Sequence, residues 1–189
     1  MNPLLKEILE CAYCKNDLPL APKPILSFEP GAKILIAGQA PGRRAHDTGM
    51  PWNDASGDRL REWLGVDKPV FYDPKIFAIV PMGFCYPGTG KSGDLPPRPE
   101  CSRLWSDKVN GALRKIELKI VIGAYAQKHY LPATADNLTA TVKSWKKYLP
   151  SVIPLPHPSP RNNIWLKKNP WFAKELLPVL KKSVRRLAK

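Results

Sequence analysis

Four short apolar runs, each closed by glycine or proline, limit what this chain can fold into. They are "KILIAG" at 33–38, "IFAIVPMG" at 76–83, "LKIVIG" at 118–123 and "SVIPLP" at 151–156. Each is short, rich in branched residues and bounded by turn formers, the signature of a buried strand. Helical stretches lie between them. "GDRLREWLG" reads as a helix with Ser56 as N-cap and Gly65 as its stop. Further helices are expected over 3–11, about 102–115, after Gly123, over 137–149 and over 170–188. The last is basic and amphipathic, with Phe172, Leu176, Leu177, Val179 and Leu180 on its apolar side. Alternation of strand and helix predicts an α/β fold in three layers, α/β/α, around a mainly parallel four-stranded sheet. Ligands of such sheets bind at the carboxyl ends of the strands. The loops after Ala37, Val80 and Leu155 should therefore meet on one rim.

The 189 residues suffice for one domain with a sizeable core, so 1–189 is expected to be a single domain. It would carry a cysteine-containing helix and loop at its N-terminus and a basic helix at its C-terminus. The 22 prolines point to long ordered loops, because each fixes φ and removes a backbone donor. Thirty basic residues against 16 acidic ones leave a net charge of +14, which favours a polyanion such as nucleic acid. No run approaches the roughly 18 apolar residues of a membrane span, and "MNPLLKEILEC" is too short and acidic for a secretory signal. No membrane partner and a cytoplasmic location are the expectation, and four cysteines in that compartment argue against a disulfide framework.

Candidate chemistry lies in four groups: the glycine loops, a proline-flanked histidine, the aromatics and the cysteines. "GQAPG" at 38–42 matches neither the dinucleotide nor the Walker spacing, and Pro41 removes a donor that a phosphate cradle would need. "GTGKS" at 88–92 lacks the first Walker glycine and a preceding strand, so a triphosphate site is not expected there. "HPSPRN" at 157–162 holds a histidine between prolines, either capping its own turn or presenting a fixed hydrogen-bond donor. Trp52, on the proline turn "MPW", either packs inward, as Trp63, Trp105 and Trp145 are expected to, or offers a flat ring to a base. "NNIWLKKNPW" at 162–171 is either a DNA-backbone surface or a lead-in to the last helix. Finally, Cys11 and Cys14 form a C-x2-C pair, while Cys85 and Cys101 bound a proline-rich loop. Four such thiolates suit zinc or an iron–sulfur cluster.

Taken in order, these elements resemble the uracil-DNA glycosylase superfamily from Cys11 to about Trp171. "GQAPG" is similar to its first active-site motif. "HPSPRN" is similar to its second, in wording close to the single-strand-selective uracil glycosylase branch. "HDTGMPW" is similar to the segment that ends in a base-stacking aromatic, and the cysteine spacing resembles the iron–sulfur branch. The resemblance implies a monomeric, monofunctional DNA glycosylase that flips a uracil or other deaminated base out of DNA and hydrolyses its N-glycosidic bond. It implies catalytic roles for Gln39, Asp47 and His157, and a base pocket of Gly38, Ala40, Pro41, Trp52 and Asn53. Arg43, Arg44, Ser159, Arg161 and Asn162 would meet DNA, and Cys11, Cys14, Cys85 and Cys101 would hold a 4Fe-4S cluster, with zinc as the alternative.

Two positions depart from the iron–sulfur branch. That branch has glutamate where this chain has Gln39, and a uracil-reading asparagine where this chain has Pro81. Uracil specificity is therefore not carried over. Backbone groups at 81–84 or Asn53 are left to read the base, and a weak or inactive DNA-binding protein on the same fold is the alternative.

Overall fold

The computed structural model describes residues 2–91 and 93–189; Ser92, the end of "GTGKS", lies outside them, as does Met1. Its centre is an all-parallel sheet of β1 (Ile34–Ala37), β2 (Phe77–Ile79), β5 (Leu118–Ile122) and β6 (Val152–Leu155), in the order β2-β1-β5-β6. The remaining strands, β3 (Thr89–Gly90) and β4 (Gly93–Asp94), form an antiparallel hairpin inside the long loop. Register is set by direct pairs: Leu35 faces Ala78 on one side and Lys119 on the other, and Val121 faces Pro154. Pro154 lacks an N–H and sits on β6 at the sheet edge, where an amide is dispensable.

Alternate residues of each strand feed opposite faces, as a two-residue period requires. Ile34, Ile36, Phe77, Ile79, Ile120, Ile122, Ile153 and Leu155 enter one core. There they meet Leu60, Trp63 and Leu64 of α3 (Ala55–Leu64), Phe71 of α4 (Lys68–Phe71), and Leu180, Val184 and Leu187 of α9 (Leu177–Leu187). Trp63 packs edge-on to Phe172 at 4.8 Å between ring centroids. Leu35, Ala37, Ala78 and Val121 enter the other core, with Ile8 of α1 (Pro3–Leu9), Trp105 and Val109 of α5 (Pro99–Ala112), and Ala126 of α6 (Gly123–Tyr130). No helix of the described residues is long and apolar enough to cross a membrane.

Local chemistry moves several boundaries. The N-cap of α3 is Asp54, whose carboxylate accepts the Gly57 N–H at 2.9 Å; Ser56 falls inside the helix and is buried. Asp54 takes this role because its extended backbone aims the side chain back at the first turn. The helix ends on Gly65 at φ 70°, as expected of a left-handed stop. Residues 137–149 do not form one helix: α7 (Leu138–Lys143) gives way to a 3-10 turn at Trp145–Tyr148. Trp63, Trp105 and Trp145 are all buried. Trp165 and Trp171 pack edge-on around Phe172, so "NNIWLKKNPW", which contains α8 (Asn163–Lys168), is chiefly a lead-in to the last helix.

Candidate active site

The three loops meet as the parallel sheet demands. A cavity of about 200 Å³ opens beyond the carboxyl ends of the strands, lined by residues that follow β1, Pro81 after β2, and His157 after β6. Its walls include Gly38, Gln39, Ala40, Pro41, Arg43, Arg44, Trp52 and Asn53, all expected from sequence. Asp47 is not among them. It lies on α2 (Arg43–Thr48), a short helix the sequence pattern did not reveal, in an exposed ion pair with Arg43 at 2.9 Å.

Trp52 covers the inner wall. Its φ is 55°, a left-handed conformation that costs a non-glycine residue roughly 1–2 kcal/mol. Three groups hold it there. The buried Arg61 guanidinium donates to the Trp52 carbonyl at 3.2 Å, and the Tyr72 hydroxyl donates to the Pro51 carbonyl at 2.9 Å. Gly57 leaves room for the Trp52 carbonyl, since a Cβ there would stand 1.7 Å from its oxygen. Gly38 leaves room for the indole in turn: a Cβ there would meet the Trp52 ring at 3.0 Å. The ring lies 5.7 Å from His157, centroid to centroid, so the two aromatic groups form adjoining walls. Sequence reasoning missed Arg61, because a buried arginine on an amphipathic helix looks like any surface cation.

His157 is fixed in one tautomer. The Ser159 N–H donates to its Nδ1 at 3.2 Å, so a neutral imidazole carries its proton on Nε2. Burial pushes its pKa below the ordinary imidazole value, while Asp54 and Asp94 pull partly in the opposite direction. The rest of "HPSPRN" braces this arrangement. The Asn162 amide donates to the His157 carbonyl at 2.7 Å, Ser159 Oγ accepts the Arg161 N–H at 3.2 Å, and Arg59 donates to the Ser159 carbonyl at 3.0 Å. Ser159 and Asn162 thus spend these contacts inside the protein, while Arg44 and Arg161 are exposed.

The polar groups left to meet a ligand can be counted from their commitments. The Met82 and Gly83 N–H groups donate to the Gly38 and Gln39 carbonyls, at 2.9 and 3.0 Å. With Pro81 lacking an N–H and the Phe84 N–H turned to the Cys101 sulfur, every backbone donor at 81–84 is spent. Asn53 lines the cavity and its side chain makes no hydrogen bond among the described residues. The Gln39 amide donates to the Leu95 carbonyl at 2.9 Å. Asp54 and Asp94 also line the cavity, and neither was singled out from sequence. The signal for Asp94 was present: it is the one acidic residue in the loop 86–99.

The four cysteines border a second, small cavity, together with Leu18, Pro22, Pro24, Gly83, Phe84 and Arg98. All four are free thiols. Backbone N–H groups of Lys23 and Phe84 donate to the Cys85 and Cys101 sulfurs, and Arg98 donates to Cys14. Burial pushes Cys85 up to about 12 and Cys101 up to about 11, with the neighbouring cysteines adding to both. Among the described residues no group of three or more His, Cys, Asp or Glu side chains is gathered so that it could hold a metal ion.

Compared with known proteins, residues 27–181 match the family model described as the uracil DNA glycosylase superfamily.

Proposed function

The chain belongs to the uracil DNA glycosylase superfamily, and from that premise we propose that it is a monofunctional DNA glycosylase for uracil or another deaminated base. The observation that carries this reading is the tautomer of His157, held with its Nε2–H at a cavity walled by Trp52. Cleavage of an N-glycosidic bond leaves negative charge on the departing base. A fixed donor at the base oxygen stabilises that charge without a proton transfer. Flipping the base costs a few kcal/mol, which stacking on Trp52 and phosphate contacts from Arg44 and Arg161 offset. Asn53 reads the base edge in place of the missing asparagine at 81. Its amide offers both donors and acceptors, which suits uracil and hypoxanthine alike.

The deciding experiment incubates the protein with oligonucleotides carrying one uracil, hypoxanthine or xanthine, single- and double-stranded, followed by alkaline cleavage. Strand breaks at the lesion are expected, and His157→Ala lowers the rate by at least about a hundredfold. Salt-dependent binding with no product on any substrate would instead support the alternative, a DNA-binding protein without turnover. What favours that alternative is Gln39, whose amide is spent on Leu95.

For the thiols we propose a 4Fe-4S cluster on Cys11, Cys14, Cys85 and Cys101. What supports this is the chemistry of the donors, four sulfurs bordering one cavity; among the described residues they are not drawn together as ligands of a single ion. A cluster holds its thiolates further apart than one zinc ion does, whose sulfurs stand at about 2.3 Å from a single centre. When bound, the cluster would serve structurally, tying the N-terminal segment and the 86–99 loop to the sheet. Anaerobic purification should give brown protein containing iron and acid-labile sulfide. A colourless, zinc-loaded preparation would assign the same ligands to zinc.

A further inference from the structure

We propose that Asp94 is the carboxylate that holds the attacking water and takes its proton. This rests on the glycosylase reading above. Three aspartates lie near the cavity, and their surroundings differ. Asp47 is turned away into its pair with Arg43. Asp54 lines the cavity, but one oxygen is spent capping α3. Asp94 lines the cavity, forms no ion pair among the described residues, and accepts one long hydrogen bond, from Thr89 Oγ1 at 3.4 Å. Its other carboxylate oxygen lies over the glycine loop: a Cβ on Gly42 would stand 3.2 Å from it. It is also near enough to His157 for its charge to act on the imidazole.

The hairpin that carries Asp94 is held in place. Gly88 and Gly93 take φ of 107° and 137°, which lets the chain reverse on two-residue strands. The Leu95 N–H closes it onto the Gly88 carbonyl at 2.8 Å. Gln39 then ties it to the glycine loop through the Leu95 carbonyl. This contact explains why position 39 is an amide. A carbonyl needs a donor, and an ionised glutamate has none. Gln39 is a positioning residue, and the carboxylate that the first motif lacks comes from the hairpin instead.

The step balances without another reactant. The bond from C1′ to the base nitrogen breaks, and its electron pair leaves with the base, whose oxygen accepts a hydrogen bond from the His157 Nε2–H; the base anion then takes its proton from solvent. The water oxygen bonds to C1′ while Asp94 takes one of its protons and later returns it to solvent. An abasic sugar and a free base result. Until the water adds, the carboxylate also offsets the positive charge of the sugar.

Single-turnover excision by the full chain tests this, using Asp94→Asn, Gln39→Glu, Gly42→Ala and Asp47→Asn on the best substrate of the panel. Asp94→Asn should slow excision by about 10²- to 10⁴-fold while its affinity for the same oligonucleotide, measured by fluorescence anisotropy, stays at the wild-type level. Gln39→Glu should also slow it, through loss of the hairpin tie, and Gly42→Ala should do so by displacing the carboxylate. Should Asp94→Asn fail to fold by circular dichroism, the last two variants decide. The proposal is overturned if Asp94→Asn keeps the wild-type rate, if Gln39→Glu is faster than wild type, or if Asp47→Asn is the more damaging aspartate variant. In those cases a slow His157→Ala would leave the glycosylase reading standing. A wild-type chain that releases no base from any substrate overturns both.

Discussion

On the proposed reading His157 is a neutral donor, and a pH dependence follows from that. Its folded-state pKa is lowered by burial, so the unfolded chain takes up the proton first. The stability it contributes is whole above about pH 6.5 and is lost as the pH falls through that value towards the lower folded one. Excision should likewise hold level from about pH 7 upward and fall in more acidic solution, as imidazolium forms in the pocket. A rate that instead declines on the alkaline side of pH 6.5 would make the cation the active form. A pH–rate profile and melting temperatures across the same range check both statements. At this scale the sequence was legible where a residue type restricts its own geometry. The proline-flanked histidine is of that kind, whereas the room that Gly38 and Gly57 leave for Trp52 shows only in the fold. Asp94 showed only as the one acidic residue of its loop, since the hairpin is what brings it to the cavity, and Asp47 was placed in the pocket by nearness in sequence alone.

Among the elements, the start of α3 bears directly on the pocket. Asp54 caps the helix, Gly57 in its first turn admits the Trp52 carbonyl, and Arg61 one turn later holds that oxygen. Gly57→Ala would drive a methyl carbon into backbone, so the 50–54 turn must move. We expect a loss of about 1–3 kcal/mol in stability, read by urea melts, together with weaker stacking of a base on Trp52. The helix itself was plain from its apolar spacing and Gly65. Its cap was not, because Asp54 and Ser56 are equally good capping types, and only backbone direction separates them. The strands β1, β2, β5 and β6 were legible for a different reason: both faces are covered, so each reads as an unbroken apolar run. The helix α2 and the 3-10 turn after α7 were not legible, since each is too short to show a period.

For the whole molecule, the net charge of +14 favours a polyanion, and on the proposed reading the number of phosphates engaged sets how DNA affinity responds to salt. The logarithm of the binding constant should fall linearly with that of salt concentration, with a slope near −0.9 for each phosphate engaged on duplex DNA. Arg44 stands exposed at the cavity wall. Arg44→Ala should make the slope shallower by about one phosphate, with little change in which base is excised. An unchanged slope would move the DNA track away from this rim. Charge alone pointed to a polyanion, but it could not say which face receives it. The parallel topology gathers the loops after Ala37, Val80 and Leu155 at one end of the sheet, and the proposed reading puts the DNA at that rim.

Three short stretches of chain touch both cavities, the first through Pro24 at the smaller and Ile25 at the larger. Pro81 borders the larger one and Gly83, Phe84 and Cys85 the smaller; Asp94 borders the larger, and Arg98 and Cys101 the smaller. The two sites therefore share a party wall only a few residues thick, so neither can be redecorated alone. A substitution at Pro81 acts on the segment that carries Gly83, Phe84 and Cys85, and one at Cys101 on the segment that carries Asp94.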